Sequence, residues 1–282
     1  MLEAYYSKTH IFKMDSSVPE VKLYNGIKDE QKRSLALFYT IALDFMRQSE
    51  FVYRAGKNLA LEYDIDDLAN MRIEHIGFVI ARIMDNGVGN PAKILHDCAK
   101  KLKKNYEGDP RNIFRYENVK TTRKILQEFY GIGKGKSALI LKNFQRFGYS
   151  NFNNSEIPIK IDRHAIRLSI GNGAVKIIPD EDFTGNIHIG KIVNSGGVFL
   201  EDIFNKICLD KGYNAIDLDD AKWIIGARVC KKKSRIACRD LCPLDCEALV
   251  KMNKSGSYIE YPSELRPLLD TRYVYKQMEM FD

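Results

Sequence analysis

Four cysteines close together, one aspartate at the head of a helical pattern, and a run of glycines and lysines are the residues best suited to chemistry. Cys230, Cys238, Cys242 and Cys246 form a C-x7-C-x3-C-x3-C pattern. In a chain that reads as intracellular, four thiols this near one another point to a metal or an iron–sulfur site, and thiolates alone suit zinc as well. The last three are spaced i, i+4, i+8, which one stripe of a helix would also give. Pro243 falls among them and argues against a regular helix there. Cys98 and Cys208 are isolated and read as small buried hydrophobes. Asp162 stands in "IPIKIDRHAIRLSIG", directly before a helical pattern whose Ile166 and Ile170 share a face. A carboxylate in that place caps the helix by accepting its first amides.

The glycine- and lysine-rich run is "YGIGKGKSALIL", residues 130–141. A P-loop, G-x-x-x-x-G-K-[ST], needs a glycine where this chain has Tyr130, and it follows a buried strand. Here the preceding residues carry Ile125, Leu126 and Phe129 on an apolar helical face. The reading is therefore helix, glycine hairpin, helix. Gly131 and Gly133 flank Ile132 and are expected to supply positive φ for a tight turn, with Ile132 plugged into the core. The second helix, "KSALILKNFQRF", offers Leu139, Leu141 and Phe144 to the core. Its first amides make a ready phosphate site, and Lys134 and Lys136 add charge. The same features also describe an ordinary helical turn with a solvated basic tip.

The elements that must position these residues are almost all helical. The 282 residues suffice for one large or two modest domains, with 45% hydrophobic and 29% charged content. The net charge of +7 hints at a polyanionic partner, and the excess is clustered in "KILHDCAKKLKKNY", "VKTTRK", the hairpin and "CKKKSR". No secretory leader and no bilayer-long apolar run is evident, so a cytoplasmic, nucleoid-associated or otherwise intracellular protein with reduced thiols is expected. Helical patterns run through "DEQKRSLALFYTIALDFMRQ", "DIDDLANM", "EHIGFVIARIMDNG" and "NPAKILHDCAKKLKKNY", with Pro91 near the start of the last. A polar linker, "GYSNFNNSEIP", leads to the short Asp162 helix. "VFLEDIFNKICLDKG" and "LDDAKWIIGARVC" close the helical set, and "AVKIIPDEDFTGNIHIGKIVNSGG" reads as loop with a little strand. The expected fold class is all-α.

With these residues in place the chain resembles the helix-hairpin-helix DNA glycosylases of the endonuclease III superfamily. Their signature is a hairpin of the form L-P-G-V-G-x-K-T-A, then a segment of the form V-D-T-H-V-x-R-V-S. Residues 161–169 match that segment at Asp162, His164, Arg167 and Ser169, with Arg163 in place of the usual threonine. Gly131-Ile132-Gly133 matches the hairpin, with Tyr130 replacing the common proline. The family's lysine position falls on Gly135, and one residue inserted before Ser137-Ala138 would bring Lys136 into register. Many relatives end in a [4Fe-4S] loop spaced C-x6-C-x2-C-x5-C; the outer cysteines here coincide with it and the inner two are displaced.

The resemblance implies two all-α domains with a cleft between them. A helical barrel over 35–155 would end in the hairpin, and residues 1–34 with 156–282 would form a second domain bearing the cysteine loop. It implies a DNA repair glycosylase that flips a damaged or mismatched base out of a duplex and cleaves its N-glycosidic bond, with a further AP lyase step open. Asp162 would be the catalytic carboxylate, stabilising the cationic sugar and helping to activate water or an amine. Lys136 would be the amine nucleophile. Gly131, Gly133, Lys134 and Gly135 would grip phosphate, and Asn86 of "MDNGVGN" would fill the gap left by the extruded base. Asn86 also reads as a helix-ending Asn-Gly turn. The four cysteines would hold a [4Fe-4S] cluster, with zinc the alternative occupant, and Lys231–Lys233 and Arg235 would touch the DNA backbone. The partner is double-stranded DNA, with no membrane and a monomeric chain. The alternative from another class is a non-catalytic helix-hairpin-helix DNA-binding protein with a structural metal or cluster. The residues that would select the target base are scattered along the chain and carry no motif.

Overall fold

The computed structural model describes residues 1–14, 18–44, 49–83, 90–116, 118–172, 175–177, 189–230, 240–244, 246 and 278–280. Among them the fold is all-α apart from one short ribbon. The chain divides into two compact units, Met1–Ser16 with Ile159–Asp282, and Ser17–Pro158. α1 (Leu2–Tyr6) and α2 (Ile11–Met14) open the chain in the first of these. The Ser17–Pro158 unit holds α3 (Pro19–Tyr24), α4 (Glu30–Leu43), α5 (Ser49–Glu62), α6 (Ile65–Asn70), α7 (Ile73–Ile83), α8 (Pro91–Tyr106), α9 (Val119–Gln127) and α10 (Lys134–Arg146). The remainder carries α11 (Arg163–Gly171), α12 (Ile189–Lys211) and α13 (Ala215–Ile224), which runs on into a π-helical turn, Ile225–Val229. β1 (Val175–Ile177) pairs antiparallel with β2 (Met278–Met280), Val175 opposite Met280. β1 is the little strand expected there, but α12 begins well before the expected "VFLED".

The N-terminal boundary differs from the expected one. Residues 18–34 belong with the Ser17–Pro158 unit rather than with the cysteine-bearing part. Tyr24 explains why. It is fully buried, its hydroxyl bonds the Thr40 hydroxyl of α4, and it donates to the Tyr53 carbonyl of α5 at 3.3 Å. Burial pushes the Tyr24 phenol far above its ordinary range, so it stays a neutral donor.

Helix starts follow local chemistry. Asp29 accepts from the Lys32 amide at 2.9 Å to open α4, Asn90 from Lys93 at 3.0 Å to open α8, and Asn118 from Thr121 at 3.0 Å to open α9. Pro91 takes the first helical position, where its missing N–H costs nothing. The core that seats the hairpin is aromatic. Phe129 meets Phe38 edge-on at 5.3 Å and stacks on Tyr106 at 5.8 Å, while Phe114 stacks on Phe144 at 4.5 Å. Leu126, Ile132, Leu141 and Phe144 are buried around them.

The tight turn of the hairpin rests on one glycine, not two. Gly131 has φ +80°, and a Cβ there would lie 2.8 Å from Ile94. Gly133 is extended (φ −94°, ψ −167°) and caps α10. Gly131→Ala should therefore cost about 1–3 kcal/mol of unfolding free energy, from left-handed strain and the Ile94 clash. Gly133→Ala should cost far less, because nothing lies within 4 Å of its missing Cβ. Denaturant unfolding of the two variants checks the difference.

Candidate functional site

In the first unit the chain enters α11 as an extended segment. Ile159 and Ile161 are buried with half-buried Lys160 between them, and the Ile159 amide donates to Asn205 Oδ1 of α12 at 3.3 Å. Asp162 follows. Its Oδ1 accepts the His164 amide at 2.9 Å and the Ala165 amide at 3.0 Å, and its carbonyl takes the Ile166 amide at 3.1 Å. The carboxylate is thus the helix cap the sequence implies, half-buried and aimed at the first turn. Burial alone would push it up. The charge of Lys222 comes first in outweighing that, joined by the neighbouring His164 ring, by Lys160 and by the Ala165 amide hydrogen bond, and the carboxyl is held below its ordinary range. At neutral pH the group is therefore an anion, and a half-buried one.

Lys222 was not legible as a site residue. It is 4% exposed, and its Nζ lies 2.5 Å from Asp219 Oδ1, itself 4% exposed, while donating to the Lys160 carbonyl. The available signal was an acid and a lysine three residues apart inside "LDDAKWIIG", a stretch otherwise suited to the core.

The other residues that match the family segment do structural work. Arg167, buried, donates to His164 Nδ1 at 3.0 Å and to the Gly226 carbonyl in the π turn. Because a guanidinium only donates, Nδ1 of His164 is an acceptor, so protonating that ring atom must break the contact. Gly226 lets the turn press on this ring; a Cβ there would lie 2.6 Å from His164 Cβ. Ser169 donates to the Ala165 carbonyl at 2.9 Å. Cys230 closes the same π turn, so the element that receives Arg167 also places the first clustered cysteine.

Cys230 is half-buried, Cys242 buried and Cys246 exposed, and none of these is in a disulfide. Cys242 and Pro243 lie outside any helix. Cys238, Lys231–Lys233, Arg235 and Asn86 lie outside the described residues. Among the described residues no three His, Cys, Asp or Glu come together as a metal site needs, so the structure does not gather Cys230, Cys242 and Cys246 into one site; only their thiol chemistry suits a four-thiolate centre.

In the Ser17–Pro158 unit the hairpin departs from expectation in register. α10 starts at Lys134, two residues early, and the Ser137 amide bonds the Gly133 carbonyl at 2.9 Å as in any regular helix. No extra residue bulges out, so Gly135 and Lys136 are the second and third helical positions. Lys134 is exposed. Lys136 turns inward: its Nζ donates to the Ala42 carbonyl at 2.6 Å, in the last turn of α4, where a cation is favoured. The exposed tip holds Gly131, Gly133 and Lys134, and space within 4 Å of Gly133 and Gly135 is open. A helix's first amides have no partner within it, and Gly133 has no side chain to take them. Arg123 of α9 braces the turn, donating to the Lys134 carbonyl at 3.1 Å, and Lys93 lies 5.0 Å over the half-exposed Tyr130 ring.

No family model matches the chain, and no curated protein matches it. Among solved structures it is similar to a non-covalent endonuclease III–DNA complex, with TM-score 0.45, 18% identity, and 76% of this chain and 84% of that one covered. It is similar to a thermostable thymine-DNA glycosylase, with TM-score 0.43, 16% identity, and 75% and 84% covered. It is also similar to a trapped endonuclease III–DNA covalent intermediate, an estranged-adenine complex, with TM-score 0.48, 20% identity, and 80% and 88% covered. No described helix is long and apolar enough to cross a membrane.

Proposed function

We propose that the chain is a DNA glycosylase that takes a damaged or mismatched base out of the duplex and cleaves its N-glycosidic bond. The observation that carries this reading is Asp162: a carboxylate held ionised while half-buried at the mouth of α11. Cleaving the bond builds positive charge on the sugar, which a fixed, shielded anion stabilises. The same carboxylate can orient the attacking water. Gly131, Gly133, Lys134 and Gly135 are proposed to take a phosphate on the open amides of α10. Cys230, Cys238, Cys242 and Cys246 are proposed to hold a [4Fe-4S] cluster, or zinc in its place, which would frame the basic loop carrying Lys231–Lys233 and Arg235. A duplex with an abasic-site analogue should bind more tightly than the same duplex undamaged. Equal binding of the two would remove the glycosylase reading. Binding to undamaged duplex should fall steeply with salt, and Lys134→Ala should lower the log–log slope by about one. An unchanged slope would take the hairpin off the DNA.

Strand cleavage after excision is proposed to fall to Lys136. Its amine must leave the Ala42 carbonyl and lose a proton before it can attack the sugar. Borohydride should then crosslink the chain to its substrate, and crosslinking should vanish in Lys136→Gln and persist in Lys134→Gln. Excision by the unaltered chain with no crosslink would mean hydrolysis alone. Loss in Lys134→Gln only would put the nucleophile at Lys134.

A further inference from the structure

We propose that Lys222, held on the Lys160 carbonyl and on Asp219, is the positioning residue that sets both the charge and the placement of the Asp162 carboxylate. The inference rests on the reading of Asp162 as the catalytic group, and it adds a residue that no part of the signature contains. A lysine ammonium that is 4% exposed needs partners for its three protons. Two are given: Asp219 Oδ1, one helical turn back on α13, and the carbonyl of Lys160, two residues before Asp162. The second bond is the telling one. It ties α13 to the extended segment that delivers Asp162 to the α11 cap, so the side chain fixes backbone as well as charge.

The groups around this point rank clearly. Asp219 neutralises part of the Lys222 charge from its own helix, and Asp220, also buried, adds a second acid there. From the entering segment Lys160 is half-buried and so screened by water. From α11 the His164 ring accepts from Arg167, and protonating that atom would break this bond. From α12 Asn205, which takes the Ile159 amide, is neutral. From α1 the Tyr6 hydroxyl is taken up by Asp217. Lys222 and Arg167 are both buried and each makes two bonds, but those of Arg167 go to His164 and Gly226, whereas one of those of Lys222 goes to the segment that delivers Asp162. In agreement, Lys222 comes first among the groups that hold the Asp162 carboxyl down.

The test reads the carboxylate directly in the full chain. With 13C-labelled aspartate, the Asp162 carboxyl resonance is assigned by its loss in Asp162→Asn and followed through a pH titration. In Lys222→Met its midpoint should rise by about one unit or more. In Asp219→Asn, which leaves the lysine less neutralised, it should move further down. Opposite signs are the mark of an electrostatic role, since loosened packing would send both the same way. An unmoved midpoint in a folded Lys222→Met chain, or a rise or no change in Asp219→Asn, overturns the proposal. Should Lys222→Met fail to fold by circular dichroism, the Asp219→Asn shift decides alone. If the titrations move as stated but no lesion duplex loses a base, the Lys222 assignment stands and the glycosylase reading falls. If bases are excised and the titrations do not respond, the reverse holds.

Discussion

Asp162→Asn is expected to keep duplex binding while lowering base excision by about a hundredfold to a thousandfold or more. The substitution separates two jobs done by one side chain. Asparagine caps a helix about as well as aspartate, so its Oδ1 can still accept the His164 and Ala165 amides. What it lacks is the negative charge. Asp162→Ala removes the cap as well and should cost about 1 kcal/mol of stability besides. The folded carboxyl lies below its ordinary range, so its ionisation contributes stability above the ordinary carboxylate pKa. That contribution is lost as pH falls through the lowered value. Acid unfolding should accordingly lose part of its pH dependence in Asp162→Asn. An Asn variant that excises as well as the parent would place the catalytic carboxylate elsewhere.

The second large effect is expected at the cysteines. The purified chain should be yellow-brown, with broad visible absorption that bleaches with acid or reductant, and Cys242→Ser should lose it. Cys242 is buried, so under the proposed cluster its loss would remove a shielded ligand. Duplex binding should weaken with it, because Lys231–Lys233 and Arg235 lie between Cys230 and Cys238 in sequence. Cys230 closes the π turn whose Gly226 presses on His164, so loss of the site should also be felt by the α11 cap. A colourless, folded chain holding one zinc and no iron would replace the cluster with a zinc site.

Much of this was legible in sequence because it rests on local chemistry. Asp162 before an apolar helical face, Pro91 after Asn90, and the buried Ile132 between glycines each follow from rules acting over a few residues. What could not be read depends on distant partners. At Gly131 a side chain is opposed both by the positive φ and by Ile94 closing over it, whereas Gly133 sits in open space and needs no positive φ. Lys136 looked like part of a basic tip, and only α4 shows that its amine has an acceptor at Ala42. Residues 18–28 carry no clear pattern, and the Tyr24–Thr40 contact that assigns them spans two helices. No motif in the local sequence marks Lys222, whose partners are the Lys160 carbonyl, distant in the chain, and Asp219 one helical turn back.

The most direct measurement of the central claim is release of free base from a panel of duplexes, each holding one lesion or mismatch, by the unaltered chain and by Asp162→Asn. The account predicts that the unaltered chain leaves an abasic site in at least one duplex and that Asp162→Asn binds that duplex without excising. No release from any duplex, or equal release by the two chains, would contradict it.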